Sequence, residues 1–501
     1  MILAEPKTIV SRDTTTELFF NSYSVENYQE YITKTADYIS NFLSRKTFYS
    51  GDENRSLYSN STILNIKDQK PTELDDLLSQ LKEVYLDHTI AFHNPNYVAH
   101  LNCPVLLPAI IGDLIASSVN TAVETWDQSI SATLIEQQVI AWINNEMGLG
   151  INADGVFTSG GTHSNFMALM IARDDYAFKH FGINIKENGW SDVVSRFRVF
   201  CSEKAHFSIQ KNAAMLGMGY DAVISVSTDD TMKMIPEALV LAIEKEKQKS
   251  NIPIAVVATA GTTDFGSFDP LDTIAKIAKE QEMWFHVDGA YGGCFVLTET
   301  HKSVLRGVEY ADSVTIDFHK SLFQPVCCSA FLLRDKKNFK YISYYADYLN
   351  PFEHRNDDCP NLIEKSTQTT RRFDALKVWI SLKMVGAENL GQLLEKVHYL
   401  ALDLYHSLKN DPDFEVIHKP ELSTLVFRYT SGILDEDVLN TLNLHIKNSL
   451  FKSGKASIAS TKIDKRVYLK FTLLNPMTTI EDLLSIIEMI KVSGQKFLQQ
   501  N

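Results

Sequence analysis

Ser313-Val-Thr-Ile-Asp-Phe-His-Lys320 decides the predicted fold, together with the earlier stretch His286-Val-Asp-Gly-Ala-Tyr-Gly-Gly293. Each stretch begins as a short apolar run, typical of a buried strand, and ends in groups that a core does not favour. The first ends in His319 and Lys320, and the second carries Asp288. In an open α/β sheet, ligands bind outside the carboxyl ends of the strands. We therefore expect this aspartate and this lysine to meet at one edge of such a sheet.

The sequence around these stretches, from Asp154 onward, alternates short apolar runs with helical patterns. This alternation is typical of βα units and predicts an α/β fold with a mostly parallel, seven-stranded sheet. The predicted strands are Gly155–Thr158, Arg198–Cys201, Ala222–Ser227, Ile254–Thr259, Trp284–Val287, Ser313–Asp317 and Ser329–Leu333. The helices predicted between them include Ser164–Phe178, Pro236–Lys249 and Leu271–Glu282.

The 501-residue chain is too long for one simple core, so we expect smaller parts beside the large domain. Apolar residues at helical spacing predict an N-terminal helical segment over residues 1–100. The large domain would occupy residues 101–380. A long helical pattern runs from Arg372 to Leu408, and strand-like Thr424–Tyr429 and Val467–Leu473 follow it. Residues 381–501 are therefore expected to form a small C-terminal α/β domain.

The composition argues against several classes of protein. A net charge of −14 does not favour nucleic acid as a partner. The six cysteines form no C-x-x-C pair, and their spacings predict neither a metal site nor a disulfide framework. Charge interrupts the first residues before a signal-peptide core appears, and no apolar run reaches the roughly 20 residues that span a bilayer. We therefore expect a cytoplasmic protein without a membrane partner.

The pairing of Asp288 with Lys320 matches the needs of pyridoxal phosphate. This cofactor requires a lysine for a Schiff base and an acid that keeps its pyridinium nitrogen protonated. Either residue alone has an ordinary explanation, because a strand-end aspartate often caps a turn and a strand-end lysine often reaches solvent. Occurring together, downstream of a phosphate-type loop, they predict a pyridoxal phosphate site.

The phosphate-type loop is Thr158-Ser-Gly-Gly-Thr-His-Ser-Asn165, which lies between a predicted strand and a predicted helix. Glycines let the backbone approach a ligand, and the N-terminus of a helix favours an anion. Taken alone, such a turn is most often an ordinary βα loop. It is neither a Walker loop nor a G-x-G-x-x-G fingerprint, so a nucleotide is not favoured.

Two further strand ends carry residues suited to this cofactor. A histidine in the position of His206, just after a strand, is most often structural or on the surface. In a pyridoxal phosphate site, however, a flat ring above the cofactor adds stacking contact. Thr263, in Ala258-Thr-Ala-Gly-Thr-Thr-Asp264, is placed to hydrogen-bond the ring or its aspartate.

Together these motifs resemble the group II pyridoxal-phosphate-dependent amino acid decarboxylases. The resemblance runs in order from about Phe92 to Trp379, and it implies fold type I, the aspartate aminotransferase-like fold. It implies Lys320 as the Schiff-base lysine and Asp288 as the pyridinium partner. Ala290 would lie beneath the ring of the cofactor and His206 above it.

The resemblance also implies the remaining cofactor contacts. Gly161, Thr162 and His319 would hold the phosphate, and Thr263 and Asp317 would complete the cofactor shell. The family often has an acidic residue where this chain has His163, so the contacts of the phosphate loop are left open at that position.

The stretch Tyr341-Ile-Ser-Tyr-Tyr-Ala-Asp-Tyr-Leu-Asn-Pro351 resembles the mobile catalytic loop of the family. Tyr348 falls where the proton-donating tyrosine is expected, although such a run of tyrosines is otherwise an aromatic surface. Aldehyde-forming relatives replace this tyrosine, so its presence favours plain decarboxylation. The resemblance further implies a homodimer with the active site at the interface, the N-terminal segment embracing the partner and the Tyr348 loop reaching across.

The substrate implied by the resemblance is an L-diamino acid, which would yield a diamine and CO2. The polar segment His93–Pro104 resembles the N-terminal wall of the family's substrate pocket. The chain looks most similar to siderophore-pathway enzymes of bacteria, which places lysine or ornithine first and 2,4-diaminobutyrate next. The alternatives are an aromatic amino acid, histidine or glutamate decarboxylase, a decarboxylating aldehyde synthase, and an inactive binding subunit. The presence of Lys320, Asp288 and Tyr348 disfavours the inactive subunit.

Overall fold

The structure is a computed structural model that describes residues 18–45, 48–49, 61–66, 71–352, 359–433 and 435–500. The chain divides into two compact units. One comprises Met1–Ala91 and Phe451–Ala456, and the other comprises Phe92–Leu450 and Ser457–Asn501. The division into three domains predicted from the sequence stays a prediction.

The described part of the first unit is helical. It contains α1 (Val25–Leu43), α2 (Ser61–Leu64) and α3 (Leu74–Val84). Lys34 of α1 pairs with Asp75 of α3 at 2.9 Å. Both α1 and α3 are amphipathic, yet neither buries a residue fully within this chain. The described residues of the predicted N-terminal segment include these helices and also non-helical stretches such as residues 89–100, and the remaining residues of the segment lie outside the described ranges. The segment as a unit stays a prediction.

A seven-stranded sheet forms the centre of the second unit and confirms the predicted sheet. Its strands are β1 (Asp154–Thr158), β2 (Phe197–Ser202), β3 (Val223–Val226), β4 (Ile252–Thr259), β5 (Trp284–Gly289), β6 (Ser313–Asp317) and β7 (Ser329–Leu333). The strand order is β1-β7-β6-β5-β4-β2-β3. Only β7 runs antiparallel to its neighbours, and the other strand pairs are parallel. Each predicted strand lies within two residues of an observed one.

Helices pack on both faces of this sheet, and its central strands β5 and β6 are buried over their whole length. Alternate residues of β4 belong to different cores: Val256 and Ala258 to one, Ala255 and Val257 to the other. The helices that follow α3 are α4 (Leu107–Val119), α5 (Trp126–Glu146), α6 (Gly161–Phe181), α7 (Ile185–Asn188), α8 (Ser208–Met215), α9 (Pro236–Gln248), α10 (Leu271–Glu280), α11 (Phe318–Ser321), α12 (Ala375–Val385), α13 (Ala387–Lys409), α14 (Glu436–Lys452) and α15 (Ile480–Gln500). Within the described ranges, none of the helices combines the length and the apolar character needed to cross a membrane.

A separate antiparallel sheet lies in the C-terminal part of the second unit. Its strands are β8 (Phe414–Val416), β9 (Thr424–Tyr429), β10 (Ala459–Ile463) and β11 (Arg466–Thr472), in the order β10-β11-β9-β8. β9 and β11 correspond to the two strands predicted there. The edge strands β8 and β10 were not predicted, because one has only three residues and the other is largely polar.

The long helix predicted from Arg372 to Leu408 is wrong, because the structure has two helices there. α12 ends at Val385 and α13 begins at Ala387, with Gly386 between them at a φ of +86°. Glycine adopts this left-handed conformation at little cost. The apolar periodicity continues through Gly386 and therefore hides the break.

Candidate active site

A cavity of about 740 Å³ opens at the carboxyl ends of the central strands. This is the edge of the sheet at which the sequence predicted a ligand, and the volume suits a cofactor with a small substrate. All nine residues predicted as cofactor contacts line this cavity. They are Gly161, Thr162, His206, Thr263, Asp288, Ala290, Asp317, His319 and Lys320.

Lys320 is placed in the cavity by the short helix α11, which begins directly after β6. Its Nζ lies 2.9 Å from Oδ2 of Asp317, three residues earlier. Asp317 is itself buried and fixed, because Ser329 Oγ donates to its Oδ1 at 2.6 Å. His319 Nε2 lies 3.8 Å from the same carboxylate. The lysine amine is thus held at the end of β6 while its side chain stays accessible from the cavity.

Asp288 lies at the end of β5 and is only 5% exposed. Its Oδ2 accepts a hydrogen bond from Asn165 Nδ2 at 2.8 Å, and its Oδ1 accepts one from the Ala290 backbone N–H at 3.2 Å. Hydrogen bonds of this kind stabilise an ionised carboxylate in a buried place. Asp288 is therefore arranged to face a positively charged ligand group.

The glycine loop leads into the N-terminus of α6, as predicted. A Cβ at Gly161 would lie 3.0 Å from both carboxylate oxygens of Asp317 and 3.2 Å from Ala290 Cβ, so a larger residue there would require these neighbours to shift. The first N–H groups of a helix have no carbonyl partner within the helix, and they bind anions well. Thr162 adds a hydroxyl next to them, and its carbonyl accepts from Asn212 Nδ2 at 2.8 Å.

His163 connects the loop to a distant segment. Its Nε2 lies 2.6 Å from Thr367 Oγ1, and its Nδ1 lies 3.4 Å from Ser159 Oγ. Burial lowers the pKa of His163 below its ordinary value, and the positive charge of Arg371 adds to this effect. Thr367, which contacts His163, and its neighbour Gln368 both line the cavity. The sequence offered no signal for either of them.

His206 presents a neutral ring to the cavity. Its Nδ1 accepts from the backbone N–H of Ser208 at 3.3 Å, and its ring lies 4.2 Å from that of Phe207. Burial lowers the pKa of His206, and the negative charge of Asp288 only partly opposes this. Thr263 follows a turn at Gly261, where φ is +94° and a Cβ would lie 2.7 Å from Leu422 Cδ1.

Tyr348 does not line the cavity of its own chain, and it is 88% exposed. The Asn350 side chain closes the turn that carries it, since its Oδ1 accepts from the Ala346 N–H at 3.1 Å and its Nδ2 donates to the Tyr344 carbonyl at 2.9 Å. The segment His93–Pro104 does not line the cavity either. Its contact with the site is Cys103 Sγ, which lies 3.3 Å from the His319 carbonyl oxygen.

The residues of the cavity fit pyridoxal phosphate. They offer a helix N-terminus for a phosphate, a buried carboxylate for a pyridinium nitrogen and an amine for an aldehyde. Two buried oxygens of the cavity wall, Asn212 Oδ1 and Thr259 Oγ1, have no hydrogen-bond partner among the described residues. Buried polar atoms are normally paired, so these two are expected to meet a ligand. Over the same described residues, no cluster of His, Cys, Asp and Glu forms a metal site.

Residues 59–430 match the family model described as the pyridoxal-dependent decarboxylase conserved domain. The chain belongs to this family. The match covers most of the chain and includes every cavity residue named above. This chain is therefore a pyridoxal-phosphate-dependent amino acid decarboxylase, as its motifs and the chemistry of the cavity predicted.

Relatives match the decarboxylase over nearly its whole length. It is 33% identical to the L-2,4-diaminobutyrate decarboxylase of Acinetobacter baumannii, over 95% of this chain and 94% of that protein. It is 38% identical to the L-2,4-diaminobutyrate decarboxylase of Rhizobium meliloti, over 89% of this chain and 87% of that protein.

A solved structure confirms the fold of the decarboxylase. The glutamate decarboxylase domain of diaminobutyrate-pyruvate transaminase and L-2,4-diaminobutyrate decarboxylase from Vibrio parahaemolyticus superposes with a TM-score of 0.87 and 34% identity. The superposition covers 96% of this chain and 99% of that one. The predicted fold, with a mostly parallel seven-stranded sheet and a smaller C-terminal sheet, is therefore confirmed.

Proposed function

We propose that this decarboxylase converts L-2,4-diaminobutyrate into 1,3-diaminopropane and CO2. The observation that carries the proposal is the full-length match to two L-2,4-diaminobutyrate decarboxylases from different bacteria. The sequence placed lysine and ornithine first, and these substrates differ from diaminobutyrate only in having a longer side chain. The relatives support the same class of diamino acid, and on their account the proposal places diaminobutyrate before ornithine and lysine.

Lys320 is the residue that would hold the cofactor covalently. When bound, pyridoxal phosphate supplies an aldehyde that links to an amine and a protonated ring that accepts the electrons released when the Cα–carboxylate bond breaks. Lys320 offers the amine, and Asp317 keeps it in place at 2.9 Å. The N-terminus of α6, with Gly161 and Thr162, would hold the phosphate.

The remaining cavity residues would orient the reacting groups. Asp288 would keep the ring nitrogen protonated by accepting a hydrogen bond from it, because its carboxylate is buried and fixed by two donors. His206 would cover the opposite face of the ring as a neutral imidazole, and Ala290 is small enough to let the ring approach β5. Thr263 and His319 would complete the cavity wall around the cofactor.

The proposal predicts a definite order of substrates. In steady-state assays of the cofactor-loaded protein, kcat/KM for diaminobutyrate should exceed that for ornithine, and ornithine should exceed lysine. Each step should amount to about tenfold or more, since one methylene changes transition-state binding by roughly 1–3 kcal/mol. Tyrosine, histidine and glutamate serve as comparison substrates. The highest kcat/KM with any of these three would overturn the proposal, and the highest with lysine or ornithine would restore the order predicted from the sequence.

We also propose that the decarboxylase is a homodimer with the active site at the interface. The face of α4 opposite its buried Ala109, Gly112 and Ala116 is apolar and exposed. Its residues are Leu107, Ile110, Ile111, Leu114, Ile115 and Val119. A contiguous apolar patch of this kind is typical of an interaction surface. Tyr348 is exposed and does not line the cavity of its own chain. In the proposed dimer it would reach the cavity of the partner subunit.

Sedimentation velocity at micromolar concentration should show a dimer. Ile111→Asp places a charge in the middle of the α4 face and should give mostly monomer, with a loss of turnover. Ile151→Asp is the matched control, because Ile151 is fully exposed and lies outside that face. This control should stay dimeric. A monodisperse wild-type monomer with full turnover would contradict the proposal.

Three further points stay predictions. A role in siderophore biosynthesis rests on the resemblance to the family, whereas a cytoplasmic location and the absence of nucleic acid and membrane partners rest on the charge and apolar pattern of the sequence. A diamine is a reasonable building block for hydroxamate or polyamine-type siderophores. Loss of siderophore production on deletion of the gene, with recovery on supplying the diamine, would support the first of these predictions.

A further inference from the structure

A network of buried polar side chains contacts Asp288, and one of its members, Asn165, also lines the cavity. His286 and Asp288 lie two residues apart on β5, so their side chains point to the same face of the sheet. Their partners in the register of β6 are Ser313 and Thr315. Asn165 of α6 packs on this face, and its amide contacts Asp288, His286 and Thr315. All five side chains are at most 5% exposed.

The amide of Asn165 has one orientation that satisfies these partners. The Nδ2 of Asn165 faces Oδ2 of Asp288, 2.8 Å away, and donates a hydrogen bond to it. The Oδ1 of Asn165 then accepts from Thr315 Oγ1 at 2.7 Å and from His286 Nε2 at 2.9 Å. The second N–H of the amide donates to Ser208 Oγ at 3.0 Å. The four contacts therefore fix the amide completely.

The protonation of His286 follows from the same contacts. Burial lowers the pKa of His286 well below its ordinary value, so the ring is neutral and has one N–H. Nε2 of His286 lies 2.9 Å from Asn165 Oδ1, and Nδ1 lies 2.9 Å from Ser313 Oγ and 3.1 Å from the Ser313 carbonyl oxygen. Ser313 Oγ in turn accepts from Trp284 Nε1 at 2.9 Å. These contacts connect Trp284 through His286 and Asn165 to the carboxylate of Asp288.

We propose that Asn165 is a positioning residue for the cofactor, held by His286 and Thr315, and that it keeps the shared proton on the ring nitrogen rather than on Asp288. A carboxylate that already accepts hydrogen bonds holds a shared proton less strongly. Hydrogen bonds that are linked in a network reinforce each other in a buried place. The inference rests on the proposed role of Asp288, and it adds that Asp288 depends on Asn165 to perform that role.

Solid-state ¹⁵N NMR of protein loaded with ring-¹⁵N pyridoxal phosphate measures this proton directly. The wild-type signal should lie at the position of a protonated ring nitrogen. In Asn165→Leu it should move towards the unprotonated position. The affinity for the cofactor, measured by equilibrium dialysis, should fall roughly ten- to a hundredfold, as expected for losing a hydrogen bond to a charged group.

Two controls separate this role from a purely structural one. Asn443 is equally buried and makes three hydrogen bonds to backbone groups of Tyr429 and Leu439, far from the cavity residues in the fold. Asn443→Leu should lower the melting temperature and leave the ¹⁵N signal unchanged. His286→Gln keeps an N–H donor for Asn165 and should retain the wild-type signal, whereas His286→Leu should shift it in part. If Asn165→Leu does not fold, the smaller uncharged variant Asn165→Ala is measured with the same expectation.

Asp288→Asn distinguishes the two ways in which the inference can fail. If its ring nitrogen stays protonated as in the wild type, the proposed role of Asp288 is wrong. If Asp288→Asn moves the ¹⁵N signal and folded, loaded Asn165→Leu does not, the role of Asp288 stands and the inference about Asn165 is overturned.

Discussion

Replacement of Lys320 by alanine should abolish the visible absorbance of the lysine-bound cofactor and lower kcat for diaminobutyrate by about 10⁴-fold or more. The reason is that the amine of Lys320 is the one in the cavity wall that stands at the end of β6, 2.9 Å from Asp317. The measurement combines an absorbance spectrum with a diamine assay. Circular dichroism should show that the fold is kept.

The alanine variant also leaves the buried Asp317 without its partner, so a second variant is needed. Lys320→Arg keeps a positive charge beside Asp317 and cannot form the covalent link, so it should be folded and equally inactive. Lys276→Ala is the control, since Lys276 lies on the exposed side of α10 and forms an ion pair with Asp272 at 3.2 Å. Its kcat should be unchanged. Full activity of either Lys320 variant would show that Lys320 does not form the covalent link to the cofactor.

Replacement of Tyr348 by phenylalanine should change the product of the reaction. The rate of diamine formation should fall roughly a hundredfold or more, the usual contribution of a positioned proton donor. Without that donor, Cα is protonated slowly and dissolved oxygen reacts there instead. Aldehyde, ammonia and peroxide should then appear while oxygen is consumed. Product analysis by mass spectrometry with an oxygen electrode measures both outcomes.

A matched control for this variant lies in the same loop. Tyr344 is also exposed, at 77%, and lies four residues before Tyr348. Tyr344→Phe should leave the rate and the product unchanged. If Tyr348→Phe still formed only the diamine at the wild-type rate, Tyr348 would not be the proton donor.

The sequence predicted the large sheet and the cavity wall because both depend on local patterns. β4 is apolar over most of its length, and a buried parallel strand needs little else to be recognised. Asp288 lies at the carboxyl end of β5 and Lys320 lies in the short helix after β6, and parallel strands bring such ends together. The positions of Asp288 and Lys320 at neighbouring strand ends were therefore enough to predict that they lie close together, without knowledge of the packing.

The parts that the sequence did not predict depend on contacts between distant segments. Asn165 was part of the quoted loop, yet its contact with His286, 121 positions away, is set by how α6 packs on the sheet. Thr367 lies in the cavity wall, where its hydroxyl contacts His163, 204 positions earlier in the sequence. The break at Gly386 was hidden because apolar periodicity continues across it. None of these features leaves a pattern within one segment.

The central claim is that the cofactor is bound to Lys320 in the cavity at the end of β6. Reduction of the loaded protein with borohydride makes this link permanent, and peptide mass mapping then locates the pyridoxyl group. The pyridoxyl group should be found on the peptide that contains Lys320 and on no other lysine. A pyridoxyl group on a different lysine, or none on a protein that decarboxylates diaminobutyrate, would contradict it.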